Sequence, residues 1–350
     1  MCRELREVTM VEWLDRLQRR SKAAGFVIAV IYKYLDDQGN YLAALLAYYA
    51  FVSLFPLLLL LTTTLGVLLW NRPQWRAEII DSAISQFPLI GEQLSRPESL
   101  SGGTTAVVIG IVGALYGGLG VGQALQNAMD TVWAVPRYVR RDPIKSRVYS
   151  ILLLIVLGSF LVGTTLLTGL GRNWANLGFL GTSAVVVGSV LLNAAVCAVA
   201  LRVTTVRPLT WTQVLPGAVL AAVLWQALQW FGATYVSHVV ASASVTNSVF
   251  AIVLGLLAFL YLVSTAFMIC AEINVVRVDR LHPRALLTAF TDNVDLTHAD
   301  RRAYAGQAEA QRAKSFQQVA VSFEEELEEE FEKEAEPGAS DGGTPTAPTP

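Results

Sequence analysis

Residues 208–271 read PLTWTQVLPGAVLAAVLWQALQWFGATYVSHVVASASVTNSVFAIVLGLLAFLYLVSTAFMICA, which is 64 consecutive residues without Asp, Glu, Lys or Arg. A helix that crosses a bilayer needs about 20 apolar residues, so this stretch is long enough for two spans and a turn. Polar residues mark the turn at Ser237, His238, Ser242, Ser244, Thr246, Asn247 and Ser248. The run therefore predicts a helical hairpin in a membrane.

Four further uncharged runs precede this hairpin, at residues 38–71, 99–129, 148–171 and 173–201, and each is long enough for one span. The pattern predicts an all-α polytopic membrane protein with six transmembrane helices. Their approximate ranges are 41–70, 103–125, 148–170, 177–201, 213–236 and 248–276. A β-barrel is disfavoured because its strands alternate polar and apolar residues, whereas residues 57–61 are all leucine.

The composition of the whole chain agrees with this class. Only 15% of the 350 residues are charged and 53% are hydrophobic, with a mean hydropathy of +0.47. Soluble globular proteins carry about 25% charged residues, so a soluble fold is excluded, and so apolar a chain does not fit disorder throughout. Cys2, Cys197 and Cys270 are too few and too scattered for a disulfide framework or a paired-cysteine metal site.

Lysine and arginine are distributed unevenly between the segments that flank the spans. Residues 1–40, 126–147, 202–212 and 277–350 carry 22 of them, whereas the three loops on the other side carry 4. Because cytoplasmic loops are enriched in Lys and Arg, both termini are predicted to face the cytoplasm.

The two ends of the chain differ from the membrane domain at 41–276. Residues 1–40 form a cytoplasmic segment, in which 8–35 predicts an amphipathic helix that lies either at the membrane interface or on the ends of the bundle. Residues 277–314 are mixed in charge and predicted to be partly helical. Residues 315–350, acidic and then rich in Pro, Gly and Thr, predict a disordered tail.

Short patches of sequence, in chain order, carry a resemblance to a known family. They are AYYAFVSLFPLL at 47–58, ALQNAMDTVW at 124–133, LPGA at 215–218 followed by Trp225, Phe231 and Tyr235, and AEIN at 271–274. Together they resemble the YihY/BrkB family of bacterial inner-membrane proteins over about residues 20–285, which implies an inner-membrane location. Asp130 stands where that family has Asn, and Cys270 where it has Gly.

The family has carried the name ribonuclease BN, but the residues do not support a nuclease. A metal-dependent nuclease needs clustered histidines and carboxylates, and the only histidines, His238, His282 and His298, form no such motif. The basic residues at 137–147 are explained by the positive-inside rule. We therefore expect no enzyme activity, no metal or cofactor and no nucleic-acid partner, with membrane lipids as partners and homo-oligomerisation left open.

The first predicted span contains four candidate functional residues, Tyr48, Tyr49, Ser53 and Pro56. Pro56 removes a backbone donor and kinks the helix, and Ser53 or a neighbouring helix is expected to satisfy the freed carbonyl. These residues form either a kinked wall of a polar cavity or a packing kink inside the bundle.

Two carboxylates near predicted helix ends are further candidates. Glu272, with Asn274 in the same patch, is either a gate or coupling residue paired with Arg137 or Arg140, or an interfacial salt bridge. Asp130 ends the second span, where a carboxylate opposes the helix dipole. We expect Asp130 to form a structural ion pair with Arg137, Arg140 or Arg141, because those arginines follow it closely.

Small and amide residues within the spans complete the candidates. Gly113–Gly117 and Gly118–Gly122 are GxxxG spacings that favour close helix packing. Gln226 and Gln229, with Asn193, either bond between helices or line a substrate path.

The leading functional hypothesis is a transporter or flippase of a lipid or another amphiphilic molecule. The sequence has no ATPase motif, so coupling is to an ion gradient or to none. The alternative is a non-transporting scaffold or regulator of envelope assembly, in which changes at Ser53 or Gln229 have no effect. A lipid-modifying enzyme that depends on Glu272 or Asp130 ranks third.

Overall fold

The computed structural model describes residues 21–68, 104–157, 179–240, 245–285 and 296–323. Within these ranges the regular structure is helical and no β-strand occurs. The all-α prediction is therefore confirmed for the described part of the chain. The predicted outer loop at 71–102, the segment 1–20 and the acidic tail from 324 lie outside the described residues.

The helices of the described residues are numbered here in chain order. They are α1 Lys22–Asp36, α2 Gly39–Leu68, α3 Thr104–Val132, α4 at 143–157, α5 Phe179–Thr204, α6 Trp211–Val240, α7 Val245–Val278 and α8 His298–Ala310. A single turn of 3-10 helix, Arg137–Val139, lies between α3 and α4.

Three segments of these helices are long and apolar enough to cross a membrane by length and composition. They are Val186–Thr204, Trp211–Gly232 and Val253–Val278, and Gly39–Leu54 is a shorter apolar helix. These segments support a membrane protein. The count of six spans stays a prediction, although helix occurs in each of the six predicted stretches.

Helices α3 and α6 extend furthest beyond their predicted ends, while α5 and α7 end at Thr204 and Val278, only a few residues late. The second predicted span ends at 125, but α3 continues to Val132. Of the residues assigned to the turn, Ser237 and His238 belong to α6, which continues to Val240, and Thr246, Asn247 and Ser248 belong to α7, which begins at Val245. In both places the sequence contains polar residues but no Gly or Pro to end the helix, so polarity alone was a poor marker of the helix end.

Helix α7 occupies the centre of the packing. It contacts α1, α2, α3 and α6, while α2 lies along α3 and α5 lies along α6. The shared core contains many small side chains, including the buried alanines Ala43, Ala128, Ala198, Ala218 and Ala271. Small residues allow helices to approach closely in a membrane.

Helix α1 is the described part of the predicted amphipathic helix. Ser21 caps its first turn by accepting a hydrogen bond from the Ala24 amide. One face packs on α7, and the opposite face exposes Val27, Ile31 and Leu35. The helix therefore packs on the bundle and also presents an apolar outer surface.

Candidate functional site

Three buried charged side chains meet where α1 contacts α7. Lys33 of α1, Asp37 after α1 and Glu272 of α7 are 3%, 6% and 0% exposed. Lys33 forms an ion pair with Asp37, and its Nζ lies 3.9 Å from Glu272 Oε2. The same Nζ donates a hydrogen bond of 3.2 Å to the carbonyl of Val132, at the end of α3. Lys33, Asp37 and Glu272 are called the Lys33 cluster below.

The spacing of residues in α1 explains how a lysine reaches this position. Gly25, Ala29 and Lys33 follow one another at intervals of four, so they lie on one face of the helix. The first two are buried and small, which brings the α1 backbone close to the bundle. Lys33 continues the same face and therefore enters the interior, where the negative end of α3 favours its ammonium group.

The connection from α1 to α2 fixes Asp37. Gln38 has a φ of 55°, and the chain reverses direction there. A Cβ atom on Gly39 would lie 2.3 Å from the ring of Tyr34, so this position requires glycine. Asp37 also accepts a hydrogen bond of 3.4 Å from Gln307 of α8. The turn thus holds the Asp37 carboxylate one helical turn from Lys33.

Burial and charge act in opposite directions in the Lys33 cluster. Burial alone lowers the pKa of Lys33, but the carboxylates of Glu272 and Asp37 outweigh it and raise that pKa above the ordinary lysine value. Burial raises the pKa of Asp37, although the Lys33 ammonium acts against this. Within the described residues, neither oxygen of Glu272 has a hydrogen-bond partner. The cluster therefore contains one ammonium group that stays protonated and two carboxyl groups. Of the two carboxyl groups, Glu272 is the less well compensated.

The predicted partners of Glu272 are not the observed ones. Arg140 instead donates to Asn127 Oδ1 and the Val135 carbonyl. Sequence reasoning missed Lys33 because it treated the basic residues of α1 as a polar face. The missed signal is a lysine that continues a row of small residues spaced four positions apart. Asp37 occupies the next position of this row, four residues after the lysine.

Asn274, two residues after Glu272, clamps α7 to α6. Its Oδ1 accepts a bond of 2.9 Å from the Gly217 amide, and its Nδ2 donates over 3.1 Å to the Val214 carbonyl. A Cβ atom on Gly217 would lie 2.2 Å from the Cys270 carbonyl oxygen. The LPGA and AEIN patches of the sequence therefore contact each other.

Pro216 supplies a second contact between the same helices. Proline lacks the amide that would bond the carbonyl four residues earlier, which is that of Thr212. Arg277 donates a hydrogen bond to this carbonyl. Arg277 therefore joins the end of α7 to the first turn of α6.

Asp130 anchors the connection between α5 and α6. Its Oδ1 accepts from Thr205 Oγ1 over 3.1 Å and from the Val206 amide over 3.0 Å. The predicted ion pair with Arg137, Arg140 or Arg141 is not formed; Arg140 and Arg141 donate to other groups instead. Asp130 is thus a hydrogen-bonded anchor.

Arg141 binds the end of α5 instead. Its guanidinium donates to the carbonyls of Val203, Thr204 and Thr205 over 2.7–2.8 Å. The last carbonyls of a helix have no partner inside the helix, so a cation there serves as a cap. Burial lowers the pKa of Arg141 from its ordinary value, against the attraction of Asp130.

The glycines of α3 form the contact with α2. A Cβ on Gly117 would lie 2.5 Å from Ser53 Cα, and one on Gly113 would lie 2.7 Å from Pro56. The Ser53 hydroxyl donates over 2.9 Å to the Ala50 carbonyl of its own helix, so it does not serve the carbonyl that Pro56 leaves unbonded. In this conformation Ser53 and Pro56 lie in a helix contact.

The remaining candidates occupy varied positions. The ring of Tyr49 lies against Gly120. Tyr48 contacts the Tyr49 ring edge to face, and 53% of the Tyr48 surface is exposed. Gln226 and Gln229 are half-buried in α6. These residues therefore do not join the Lys33 cluster.

A second buried charge group lies beside the Lys33 cluster. Arg284 pairs with Asp36 of α1 over 2.9 Å and with Asp300 of α8 over 2.5 Å. Asp300 also accepts from the Thr297 amide in a capping box at the start of α8. Arg284 is fully buried, so it connects the segment after α7 to both α1 and α8.

Comparison with known proteins gives one result. Neither curated proteins nor solved structures produced a match. Within the described ranges, no group of three His, Cys, Asp or Glu side chains is placed to hold a metal ion. A sequence model of the family described as virulence factor BrkB matches residues 30–289. This range covers most of the chain and includes the Lys33 cluster, the Asn274 clamp and Asp130. The chain belongs to the BrkB family.

Proposed function

We propose that this protein transports or flips a lipid or another amphiphilic molecule across the bacterial inner membrane, and that it is not an enzyme. The observation that carries the proposal is Glu272, a fully buried carboxyl group in an apolar spanning helix that has no hydrogen-bond partner among the described residues. A buried charge that loses its partner destabilises a protein by about 3–5 kcal/mol, and among the described residues Glu272 is compensated only by the Lys33 ammonium group at 3.9 Å. Ionisable residues in such positions usually mark ion or substrate pathways.

The helices around Glu272 support a moving bundle. Helix α7 packs against α2 and α6, and each of these contains an internal proline, Pro56 or Pro216. A proline inside a helix removes a backbone hydrogen bond and provides a position at which the helix bends. The charged helix is therefore flanked by two helices that contain natural bending points.

The distribution of basic residues supports the proposed orientation. Arg140, Arg141, Arg207 and Arg284 all lie near the same helix ends as the Lys33 cluster, as their contacts show. By the positive-inside rule this end faces the cytoplasm. The proposal thus places Glu272 near the cytoplasmic ends of the helices.

Reconstituted protein provides the test. Purified full-length chain in vesicles of phosphatidylethanolamine and phosphatidylglycerol should expose inner-leaflet fluorescent phosphatidylglycerol to an external quencher. Glu272→Gln should slow this exposure. Glu309→Gln, which changes a partly exposed glutamate of α8 paired with Arg312, should not. Folded protein that moves neither lipids nor a panel of other amphiphiles would overturn the proposal.

The alternative function is a scaffold or regulator of envelope assembly. The observation in its favour is the number of fixed polar contacts at the same helix ends, such as the bidentate pair of Arg207 with Asp279 at 2.7 and 2.9 Å. A scaffold predicts that Glu272→Gln leaves cellular function intact, whereas loss of the Arg207 pair abolishes it. A complementation assay with both variants separates the two functions.

A further inference from the structure

We infer that Glu272 and Asp37 form a binding site for one exchangeable proton, and that this proton is the ion coupled to transport. The coupling role rests on the proposed function. The site itself rests on the geometry of the Lys33 cluster, which holds two carboxyl groups for one ammonium group.

Lys33 does not donate a hydrogen bond to both carboxyl groups. An ammonium group has three donors, and here one serves Asp37 and one serves the Val132 carbonyl. The third faces Glu272 across 3.9 Å, which is too long for a hydrogen bond. If both carboxyl groups were ionised, Glu272 would remain an anion without a donor in the interior.

A proton on Glu272 removes this imbalance. The cluster would then contain one cation and one anion, and its net charge would be zero. The carboxyl groups of Asp37 and Glu272 face the same Lys33 ammonium group, so the Asp37 carboxylate is the acceptor proposed for the Glu272 O–H. A shared proton between neighbouring carboxyl groups is the usual result when like charges meet in a buried site.

Among the described residues, no second cation forms an ion pair with Glu272. The charged and titratable groups that face it are Lys33, Tyr34 and Asp36 of α1 and Asp37 of the following turn. Asp36 is already paired with Arg284, and the contact from α3 is the Val132 carbonyl on Lys33. Helix α8 contributes the neutral amide of Gln307, on Asp37.

Asp37 provides the route by which the proton leaves. Asp37 is buried but 6% exposed, whereas Glu272 is 0% exposed, and Asp37 lies in a turn next to the partly exposed Asp36. In the transfer step the O–H bond of Glu272 breaks and an O–H bond forms on Asp37, which then passes the proton to water. Lys33 stays charged throughout, and after the proton has left it is the shared cation of both carboxylates.

Infrared difference spectra of the purified full-length protein in lipid test the site without a transport assay. Titration should reveal the carbonyl band of a neutral carboxyl group, sensitive to deuterium. Glu272→Gln should abolish this band, Asp37→Asn should shift it, and the matched control Glu309→Gln should leave it unchanged. Glu272→Asp, which keeps a carboxyl group, should restore a shifted band and guards against a folding defect in the glutamine variant.

The outcomes separate the inference from the proposed function. Absence of a band that depends on Glu272 overturns the inference, even if lipid is transported. A band that depends on Glu272 supports the proton site, even if no lipid moves and the proposed function fails. Where lipid does move, a pH gradient should accelerate it in the wild-type protein, and Glu272→Gln should lose that acceleration.

Discussion

Gly217 and Asn274 show how one side chain organises a contact between two spanning helices. Asn274 bonds both the amide of Gly217 and the carbonyl of Val214, and this is possible only because Gly217 has no side chain. The sequence identified both residues as parts of patches that resemble a family. It did not predict their contact, because the patches are far apart in the chain and nothing in either one specifies its partner.

Substitution of Gly217 by alanine should therefore destabilise the protein. The new Cβ would lie 2.2 Å from a backbone oxygen and 2.4 Å from Asn274 Nδ2, and neither group can move without separating the helices. Overpacking of this kind costs about 1–3 kcal/mol. Thermal unfolding in detergent should show a lower melting temperature. Gly306→Ala is the control, because its Cβ would meet only the Ala134 methyl group at 3.9 Å, and an equal effect of both changes would contradict the explanation.

Asp37 should give the protein a pH-dependent stability. Its pKa is raised in the folded state by burial, so the folded state binds the proton more tightly than the unfolded state. The free energy of unfolding should therefore fall as pH rises from the ordinary aspartate pKa of about 3.9 to the folded value. Melting temperatures measured across this window should fall less steeply in Asp37→Asn.

The control for this prediction is Asp142→Asn, which alters an exposed aspartate paired with Lys145. Its pH profile should match that of the wild-type protein. If Asp37→Asn also kept the wild-type slope, another group would be responsible for the pH dependence and the role given to Asp37 would be wrong.

At the scale of helices, the contact between α2 and α3 depends on glycine at a few positions. Gly113 faces Pro56, and Gly117 faces the backbone of Ser53. The backbones of the two helices therefore lie too close together to leave room for a side chain at these positions. The sequence predicted close packing from the GxxxG spacing. It could not identify the partner helix, since any helix with a small or kinked face satisfies the same pattern.

Gly117→Ala should weaken this contact, and its neighbour provides a matched control. The Cβ at 117 would lie 2.5 Å from Ser53 Cα, which belongs to the backbone and cannot rotate away. The Cβ at 118 would lie 2.9 Å from a methyl group of Leu154, which can. Gly117→Ala should therefore lower the melting temperature clearly more than Gly118→Ala. Equal losses in the two variants would indicate that the α2–α3 contact is not the sensitive one.

Helix positions were largely predictable from sequence, whereas their ends were not. Long uncharged runs locate spanning helices because each must bury its backbone polar groups within itself. Asp130 was predicted to lie at the end of the second span. Thr205 and Val206 donate hydrogen bonds to the Asp130 carboxylate, and the helix continues to Val132. Such compensation depends on a distant segment and is invisible in the local pattern.

At the scale of the whole molecule, buried charges join the two ends of the family domain. Arg284 links Asp36 of α1 with Asp300 of α8, and Gln307 of α8 reaches Asp37. Charge counting used Arg284 among the basic residues that predict the orientation of the chain, but such a count carries no information about burial. The burial of these charges could not be foreseen, because each one needs a partner that lies more than 200 residues away or in a different helix.

Removal of Asp300 should therefore release α8 from the helix bundle. Asp300 accepts hydrogen bonds from Arg284, from the amide of Ala285 and from the cap of α8, and it is fully buried. Asp300→Ala would leave Arg284 with one fewer carboxylate, and loss of one partner of a buried pair costs about 3–5 kcal/mol. Limited proteolysis should cut residues 296–323 faster in this variant, while α5 to α7 stay protected in the membrane. Asp142→Ala should digest like the wild-type protein, and a wild-type digestion rate in Asp300→Ala would show that other contacts hold α8.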